Sequence, residues 1–442
     1  MKKKVLATLL SATMVAGMLA GCGSNEAAPE TTETTETTEE TTEEAADVDV
    51  AQADASAVDA LIAATTDTVS LTVWASEEDQ DLTNELLDNF KNEYSDVTFD
   101  IQLGSESEST AKDTVLTDIE AAADVYAFAD DQINDLVAAG ALQPVSATYT
   151  YDVANENVAG SVEAASVDGT LYAYPMTADN GYFMFYNSEY FTEDDVQSLD
   201  AMIEVAKAND KKIAMDVSNG WYIYAFFKGA GLDAGLNEDG STNYCEWDGE
   251  GGADVCQSIL DLFATGAFVD MGDEDMATAI AEGTVIAGVN GTWRAETAQD
   301  AWGENYAAAK LPTFTLNGEQ AQMSSYSGYK LLGVNPHSSN VGWAMLLAEY
   351  LTNEASQVAR YEARGLGPAN VTAASSDAVQ SDPAIAALAA QAEFATPQRI
   401  GGNFWSPAET LGSILAGGNA DGTDLQELLT TAVDGITAPV AE

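Results

Sequence analysis

The feature that most constrains the fold is a strand, helix, strand succession near the start of the folded part of the chain. Residues Val69 to Trp74 and Val97 to Leu103 alternate apolar with polar side chains, which is typical of strands. Between them, residues 79–94 carry Leu82, Leu86, Leu87 and Phe90 on one helical face. Because strands joined through a helix pair in parallel with a right-handed crossover, this segment predicts a parallel sheet.

The alternation of helices and strands continues along the chain. The predicted helices span 109–121, 132–139, 198–208, 221–227 and 253–264, and the predicted strands span 124–128, 171–175, 182–186 and 285–289. Helices that alternate with strands indicate the α/β class, with helices covering the faces of the sheets.

The amino-terminal end indicates export. Three lysines precede an apolar stretch from Val5 to Ala20, so residues 1–21 are predicted to be a signal peptide. Residues Glu30 to Glu44 are only Thr and Glu, and the next twenty are mainly Ala, Asp and Val. Such a composition cannot bury a core, so residues 22–66 are predicted to form a disordered tether.

Charge and motif content exclude several functions. A net charge of −58 repels nucleic acid and anionic lipid. The chain has one histidine, His337, and no nucleotide-binding loop or nucleophile elbow. We therefore expect no enzyme activity, no catalytic residues, no cofactor and no metal, although the many carboxylates leave a secreted glycosidase as an alternative.

Two cysteines of the folded part, Cys245 and Cys256, allow two interpretations. In an exported protein a disulfide is natural, and closing this loop would stabilise the fold by roughly 3 kcal/mol in the chain-entropy model. The alternative is two buried thiols. Their spacing does not decide between them.

Aromatic residues recur beside small or polar partners at the ends of elements. Flat rings stack on the C–H faces of sugars while carboxylates and amides bind sugar hydroxyls, so this pairing favours saccharide recognition. The aromatic residues in question are Trp74, Phe128, Trp221, Trp293 and Trp405.

An ordered set of segments extends over about 68 to 440. It consists of Leu71 to Trp74, Ala123 to Asp131, Gly140 to Val145, Asp168 to Pro175, Phe185 to Asn187, Gly288 to Trp293, Lys310 to Pro312, Gly365 to Gly367 and Asn403 to Trp405. This set resembles the extracellular solute-binding protein family that includes the maltose-binding protein. At the end of the signal peptide, Leu19 to Cys22 resembles the lipobox, in which the cysteine is acylated.

This resemblance implies a two-lobed, class II periplasmic-binding-protein-like fold with a cleft between the lobes. Lobe one would combine 67–177 with 328–364, and lobe two would combine 178–327 with 365–442. The chain would cross between them near 176–180, 323–329 and 364–367. A ligand would be enclosed when the lobes close about these crossings.

Site residues follow from the same resemblance, position by position. The implied ligand-binding residues are Trp74, Phe128, Asp131, Asp179, Trp221, Trp293 and Trp405, followed by Glu78, Asn180, Tyr222 and Arg294, with Cys22 as the lipidation site. The chain departs from the maltose-binding pattern at Asp79, Asn219 and Glu409, which replace a lysine, a glutamate and an arginine.

The expected function is that of the extracellular binding component of an ABC importer for neutral oligosaccharides, with malto-oligosaccharides as the leading ligands. The expected partners are the permease subunits and, through the lipid anchor alone, the outer face of the cytoplasmic membrane. We expect a monomer that does not bind nucleic acid. A different solute on the same fold, such as another oligosaccharide, a polyamine or a metal chelate, is an alternative, as is a surface adhesin.

Overall fold

A computed structural model describes residues 54–146, 148–237, 240 and 242–439. The predicted signal peptide, the lipidation site Cys22 and residues 22–53 of the predicted tether lie outside the described residues. None of the helices that the structure describes combines the length and the apolar character that a membrane span requires.

The strands are short, and they include the six segments that the sequence predicts as strands. They are β1 Val69–Ala75, β2 Phe99–Ser105, β3 Val125–Ala129, β4 Ser166–Val167, β5 Thr170–Leu171, β6 Ala173–Thr177, β7 Phe183–Asn187, β8 Lys212–Met215, β9 Ala234–Leu236, β10 Asn243–Cys245, β11 Phe268–Asp270, β12 Val285–Asn290, β13 Tyr306–Ala309, β14 Thr313–Leu316, β15 Glu319–Gln322, β16 Ser325–Ser327, β17 Lys330–Val334 and β18 Ala395–Pro397.

The helices alternate with these strands, which confirms the α/β class. They are α1 Ala55–Ala64, α2 Gln80–Glu93, α3 Ala111–Thr117, α4 Ile133–Ala138, α5 Val153–Glu156, α6 Ala159–Ala164, α7 Leu199–Ala208, α8 Gly220–Gly229, α9 Gly252–Ala264, α10 Asp273–Ala281, α11 Ala295–Trp302, α12 Val341–Thr352, α13 Glu354–Arg364, α14 Val371–Ala374, α15 Asp377–Gln380, α16 Pro383–Gln391, α17 Trp405–Ala416 and α18 Leu425–Ile436.

Helix α1 corrects the prediction of a disordered tether up to residue 66. Asp54 caps the helix by accepting a hydrogen bond from the backbone N–H of Ser56 at 3.0 Å. Val58, Leu61 and Ile62, at helical spacing, pack against the core that surrounds β1. This tertiary contact stabilises a helix too short to form alone in water.

Lobe one is built on a five-stranded sheet with the order β2-β1-β3-β17-β6. Strand β1 pairs in parallel with β2, with Val69 opposite Phe99, and also in parallel with β3. The predicted strand, helix, strand unit is therefore confirmed. Strand β17, which comes much later in the chain, pairs antiparallel with both β3 and β6.

Lobe two is built on a second five-stranded sheet with the order β11-β8-β12-β7-β13. Strand β8 pairs in parallel with β11 and β12, whereas β7 pairs antiparallel with β12 and β13. Helices α8, α9 and α17 pack around a core that contains Trp247, Phe226 and Phe404. Each lobe therefore has a hydrophobic core of its own.

The chain passes from one sheet to the other at three places. It passes from β6 to β7, from β16 to β17, and from α13 to α16, which packs on β13. The third passage is long: Asn370 still accepts and donates hydrogen bonds on the lobe-one side, where its backbone N–H donates to Gln357 at 2.7 Å. Strands β16 and β18 pair in parallel beside these passages. The lobe boundaries given by the sequence stay a prediction.

Candidate ligand-binding cleft

Four aromatic rings form an aromatic cluster, defined as Tyr182, Trp221, Tyr222 and Trp293. The Tyr182 ring centroid lies 4.8 Å from that of Trp221 and 4.9 Å from that of Tyr222. Trp221 and Trp293 are stacked, with centroids 5.8 Å apart and planes inclined by 29°. Offset stacking of this kind is a favoured aromatic geometry. Both tryptophans are half-buried, so each retains exposed surface.

Helix capping and a glycine place the two tryptophans. The Asn219 side chain caps α8 by accepting a hydrogen bond from the backbone N–H of Trp221 at 2.9 Å. A Cβ atom at Gly291 would lie 2.1 Å from the Trp293 ring. Only glycine therefore permits the ring to lie flat against the turn that follows β12.

Lys330 connects Trp293 to lobe one. Its ammonium nitrogen lies 5.2 Å from the centroid of the Trp293 ring, within the range of a cation–π contact. It also lies 3.8 Å from a carboxylate oxygen of Glu108. Burial alone would lower the pKa of Lys330, but Glu108, Asp179 and Asp79 outweigh burial and raise it. Lys330 is therefore charged at neutral pH.

Asp179 joins lobe two to the third passage of the chain. Its Oδ2 accepts hydrogen bonds from the Thr292 hydroxyl at 2.5 Å and from the backbone N–H of Gly367 at 2.7 Å. Its other oxygen, Oδ1, is buried without a hydrogen-bond partner. With only 1% of its surface exposed, Asp179 positions the turn that carries Trp293.

Gln398 links the aromatic cluster to the other half of the cleft. Its Oε1 accepts hydrogen bonds from Nε1 of Trp221 at 3.1 Å and from Nδ2 of Asn180 at 3.4 Å. Its side chain also lies beside the carboxyl group of Asp131, whose pKa it lowers. Gln398 thus bonds to a tryptophan of lobe two and lies next to a carboxyl group of lobe one.

A cavity of about 460 Å³ lies between the two lobes beside Gln398. We call it the acidic cavity. From lobe one it is lined by the ends of α3 and β3, the helix α4 and Ala164, and from lobe two by residues around β10 and after β18. Its principal polar lining residues are Lys112, Asp130, Asp131, Asn134, Asp135, Thr242, Asn243, Gln398, Arg399 and Asn403.

Asp130 and Asp131 are poorly compensated in the acidic cavity. Burial raises the pKa of Asp130 to about 7, although the backbone N–H of Tyr329 and the charge of Arg399 oppose it. Burial, followed by the charge of Asp130, raises the pKa of Asp131 to about 8. Oδ1 of Asp131 is buried and has no hydrogen-bond partner. The charge of Lys112 lowers the pKa of Asp131 only in part, because Lys112 is itself paired with Asp135 at 3.0 Å.

Charged residues also face one another at the rims of the cleft. Arg399 of lobe two lies 3.4 Å from Glu163 of lobe one, and both side chains are about half exposed. Arg294 bonds to Glu274. Burial lowers the pKa of Arg294, but nearby carboxylates, including Glu78 of lobe one, outweigh burial and raise it. Exposed pairs of this kind stabilise closure only weakly.

Three of the implied aromatic residues lie apart from the aromatic cluster. Phe128 is a correction: its ring is fully buried in the lobe-one core, 6.0 Å from the ring of Tyr126, because β3 is covered on both faces. Trp74 is half-buried over Gly104, at a small internal cavity that also contacts Arg360. Trp405 packs beside Phe404 and Tyr326 at the start of α17.

The departures from the maltose-binding pattern have local explanations. Asp79 is buried and pairs with Arg364 at 2.7 Å and with Arg360 at 3.4 Å, so it compensates two arginines beneath the cleft. Asn219 caps α8, as described above. Glu409 is exposed on α17.

Sequence reasoning missed five cleft residues: Glu108, Asp130, Lys330, Gln398 and Arg399. Two signals could have found some of them. Asp130 stands next to Asp131 directly after a buried strand, and Lys330 and Arg399 are among only 15 basic residues of the chain. Glu108 and Gln398 lie in loops and carry no pattern.

The two cysteines of lobe two are both free thiols. Cys256 is buried in the lobe-two core, and Cys245 is half-buried against it. Burial raises the pKa of each thiol to about 12, so neither is a reactive thiolate. Within the described residues, no group of three or more His, Cys, Asp or Glu side chains is arranged to hold a metal ion.

Comparison with known proteins decides the family. A family model for the bacterial extracellular solute-binding protein matches residues 85–387, which is well over half of the chain. The chain belongs to this family. The two-lobed fold inferred from the sequence is therefore confirmed, and an extracellular solute-binding protein is a binding protein that works outside the cytoplasm.

The relatives of this solute-binding protein include saccharide receptors. A galactooligosaccharide-binding protein of Bacillus subtilis (strain 168) is 28% identical over 322 residues, covering 67% of this chain and 73% of that protein. A solved structure with acarbose is 30% identical with a TM-score of 0.72, covering 83% of this chain and 99% of that one. A maltodextrin-binding protein from L. casei BL23 without ligand is 25% identical with a TM-score of 0.69, covering 84% and 100%.

Proposed function

We propose that this solute-binding protein captures an oligosaccharide in the cleft between its lobes and delivers it to an ABC importer. The observation that carries the proposal is that Gln398 bonds to Trp221, which stacks with Trp293, and lines the same cavity as the carboxyl group of Asp131. Rings that can stack on a sugar and polar groups that can bind its hydroxyls are the two parts a saccharide site needs.

The saccharide preference is proposed from the relatives together with the site. Relatives that bind galactooligosaccharide and maltodextrin, and one solved with acarbose, support an oligosaccharide of several rings. The cleft offers two places for such a ligand, since Gln398 both bonds to Trp221 of the aromatic cluster and lines the 460 Å³ acidic cavity. Malto-oligosaccharides remain the first candidates.

Delivery and location complete the proposal. Residues 1–21 would be removed as a signal peptide, and Cys22 would carry the lipid that holds the protein at the outer face of the cytoplasmic membrane. Closure of the two lobes over the ligand would be the signal that the permease subunits recognise. The protein would act as a monomer, with the lobe boundaries at 67–177 plus 328–364 and 178–327 plus 365–442.

Calorimetric titration with maltose, maltotriose, maltotetraose, a galactooligosaccharide, a xylo-oligosaccharide and raffinose tests the proposed function. We expect at least one to bind with a Kd below about 100 μM, corresponding to about −5.5 kcal/mol. Failure of every saccharide to bind more tightly than about 1 mM would overturn the proposal.

Recovery of the bound saccharide tests whether the protein is a receptor rather than a glycosidase. The tightest ligand of the panel would be incubated with the protein for a day and then analysed by chromatography. We expect the saccharide to be recovered intact. Accumulation of shorter products, absent when the protein is omitted, would instead indicate hydrolysis.

A further inference from the structure

The acidic cavity carries two adjacent carboxyl groups without a cation of their own. Oδ1 of Asp130 accepts a hydrogen bond from the backbone N–H of Tyr329 at 3.2 Å, and the amide of Gln398 lies beside the carboxyl group of Asp131 and lowers its pKa. Both of these groups are neutral. Oδ1 of Asp131 is buried and has no donor at all.

The basic residues near the cavity supply only part of the missing charge, since Arg399 and Lys112 lower the pKa values of Asp130 and Asp131 without outweighing burial. Lys112 is held 3.0 Å from Asp135, and Arg399 lies 3.4 Å from Glu163 outside the cavity. Asp79 shows the contrast within the same chain, because its single carboxylate is paired with both Arg360 and Arg364. This protein therefore pairs one carboxylate beneath the cleft with two arginines, whereas Asp130 and Asp131 inside the cleft form no ion pair.

We propose that the acidic cavity binds the protonated amine of an amine-bearing saccharide, with the ammonium group placed between Asp130 and Asp131. The inference rests on the proposed function, because the sugar rings of such a ligand would stack on the aromatic cluster. An ammonium group has three donors. It would donate to the carboxyl groups of Asp130 and Asp131 and compensate their negative charge.

Charge and titration agree with this assignment. The groups that face Asp130 and Asp131 are Lys112, Asp135, Gln398, Arg399 and the backbone of Tyr329. Burial, followed by the charge of Asp130, outweighs the lowering effects of Lys112 and Gln398 and leaves the pKa of Asp131 at about 8, so this carboxyl group holds a proton at pH 7 in the absence of a ligand. A bound ammonium group favours the ionised carboxylate and displaces that proton. Binding of the amine should therefore release protons to solvent, whereas binding of a neutral sugar should release few.

The test compares maltotriose with three amino analogues, in each of which the primary hydroxyl of one ring is replaced by a primary amine. Spermidine serves as a free amine without a sugar. Titrations of the wild-type protein at pH 7 would be run in two buffers of different ionisation enthalpy. We expect one amino analogue to bind about tenfold more tightly than maltotriose, as for a hydrogen bond to a charged group in place of a neutral one, with proton release.

Three variants assign the effect. Asp130→Asn and Asp131→Asn preserve size and keep an acceptor, and each should reduce the ratio of amine affinity to maltotriose affinity by about fivefold or more. Asp81→Asn, on the exposed face of α2, removes one negative charge from lobe one outside the cavity and should leave the ratio unchanged. Thermal unfolding of each variant checks that it is folded.

The outcomes separate this inference from the proposed function. If a neutral saccharide such as maltotriose binds but no amino analogue binds more tightly, the inference is wrong and the proposed function stands. The same conclusion follows if the ratio of amine affinity to maltotriose affinity is equal in Asp130→Asn and Asp81→Asn. If spermidine binds more tightly than every amino analogue, the cavity serves a free polyamine and the inference is also wrong. If no saccharide of any kind binds, both fail.

Discussion

The aromatic cluster and the acidic cavity lie side by side in one cleft, but they are stabilised in opposite ways. Trp221 and Trp293 already contact each other, and Trp293 also contacts the ammonium group of Lys330. Asp130 and Asp131 have raised pKa values, and one of their oxygens has no partner. The aromatic side is therefore preorganised without a ligand, whereas the acidic side is left to be completed by one.

This difference suggests a division of roles. Stacked rings supply contact area that many saccharides can use, since every pyranose has C–H faces. Uncompensated carboxyl groups discriminate, because their desolvation is costly unless the ligand brings matching donors. The aromatic cluster should then set how tightly any saccharide binds, and the acidic cavity should set which saccharide binds best.

The largest effect is expected for Trp293→Ala. Removing the ring takes away the stacking surface and its contacts with Trp221 and Lys330, so the affinity for the tightest saccharide should fall by about tenfold to a hundredfold. Calorimetry would measure the loss. Trp293→Phe retains a ring and should lose much less; an equal loss in both variants would place the effect in the fold of the turn rather than in stacking.

A second, intermediate effect concerns the stability of the unliganded protein. Because the folded-state pKa of Asp130, about 7, is above that of an unfolded aspartate, the folded state binds more protons between pH 4 and pH 7. The contribution of this carboxyl group to stability therefore falls as the pH rises through that window. Asp130→Asn removes the cost and should stabilise the protein by about 1–2 kcal/mol at pH 8.

Thermal unfolding of wild type and Asp130→Asn from pH 4 to pH 8 measures this difference. Burial raises the pKa of Glu349 to about 7, so Glu349 also makes the stability fall as the pH rises. Because Glu349 is present in both proteins, its effect cancels in the comparison. The difference between their Tm values should therefore increase with pH. A variant less stable than wild type at pH 8 would mean that Asp130 is compensated in the unliganded cleft after all.

The smallest effect is expected for Arg399→Gln. Its ion pair with Glu163 is exposed, so the loss of affinity for a neutral saccharide should correspond to less than about 1 kcal/mol. The charge of Arg399 lowers the pKa of Asp130, so the variant should raise that pKa further. NMR titration of the Asp130 carboxyl signal would check the shift. A large loss of affinity would show that Arg399 contacts the ligand directly.

The sequence predicted the fold well and the cleft only in part. Periodicity located β1, α2 and β2 within about two residues, because each buries a regular face. The resemblance placed Phe128 in the cleft, and this was wrong. All residues of its strand are apolar because both faces of the strand are buried, so the sequence cannot show which way the ring points. It also missed α1, whose helical state depends on packing against lobe one rather than on its own composition.

The missed cleft residues were difficult for a related reason. Lys330 reaches Trp293 from a strand more than thirty positions later in the chain, and Gln398 reaches Trp221 across 177 positions. Neither pair has a local signature. Asp79 is a similar case. The sequence shows only that it replaces a lysine of the maltose-binding pattern, because its partners Arg360 and Arg364 lie far along the chain.

The affinity of the tightest saccharide for Trp293→Ala, Asp131→Asn and the double variant tests most directly whether the two regions form one binding site. We predict that each single change weakens binding and that the double change differs from their sum by about 0.5 kcal/mol or more, because Gln398 couples the two regions. Unchanged affinity in Asp131→Asn, together with a double variant equal to Trp293→Ala, would contradict the account.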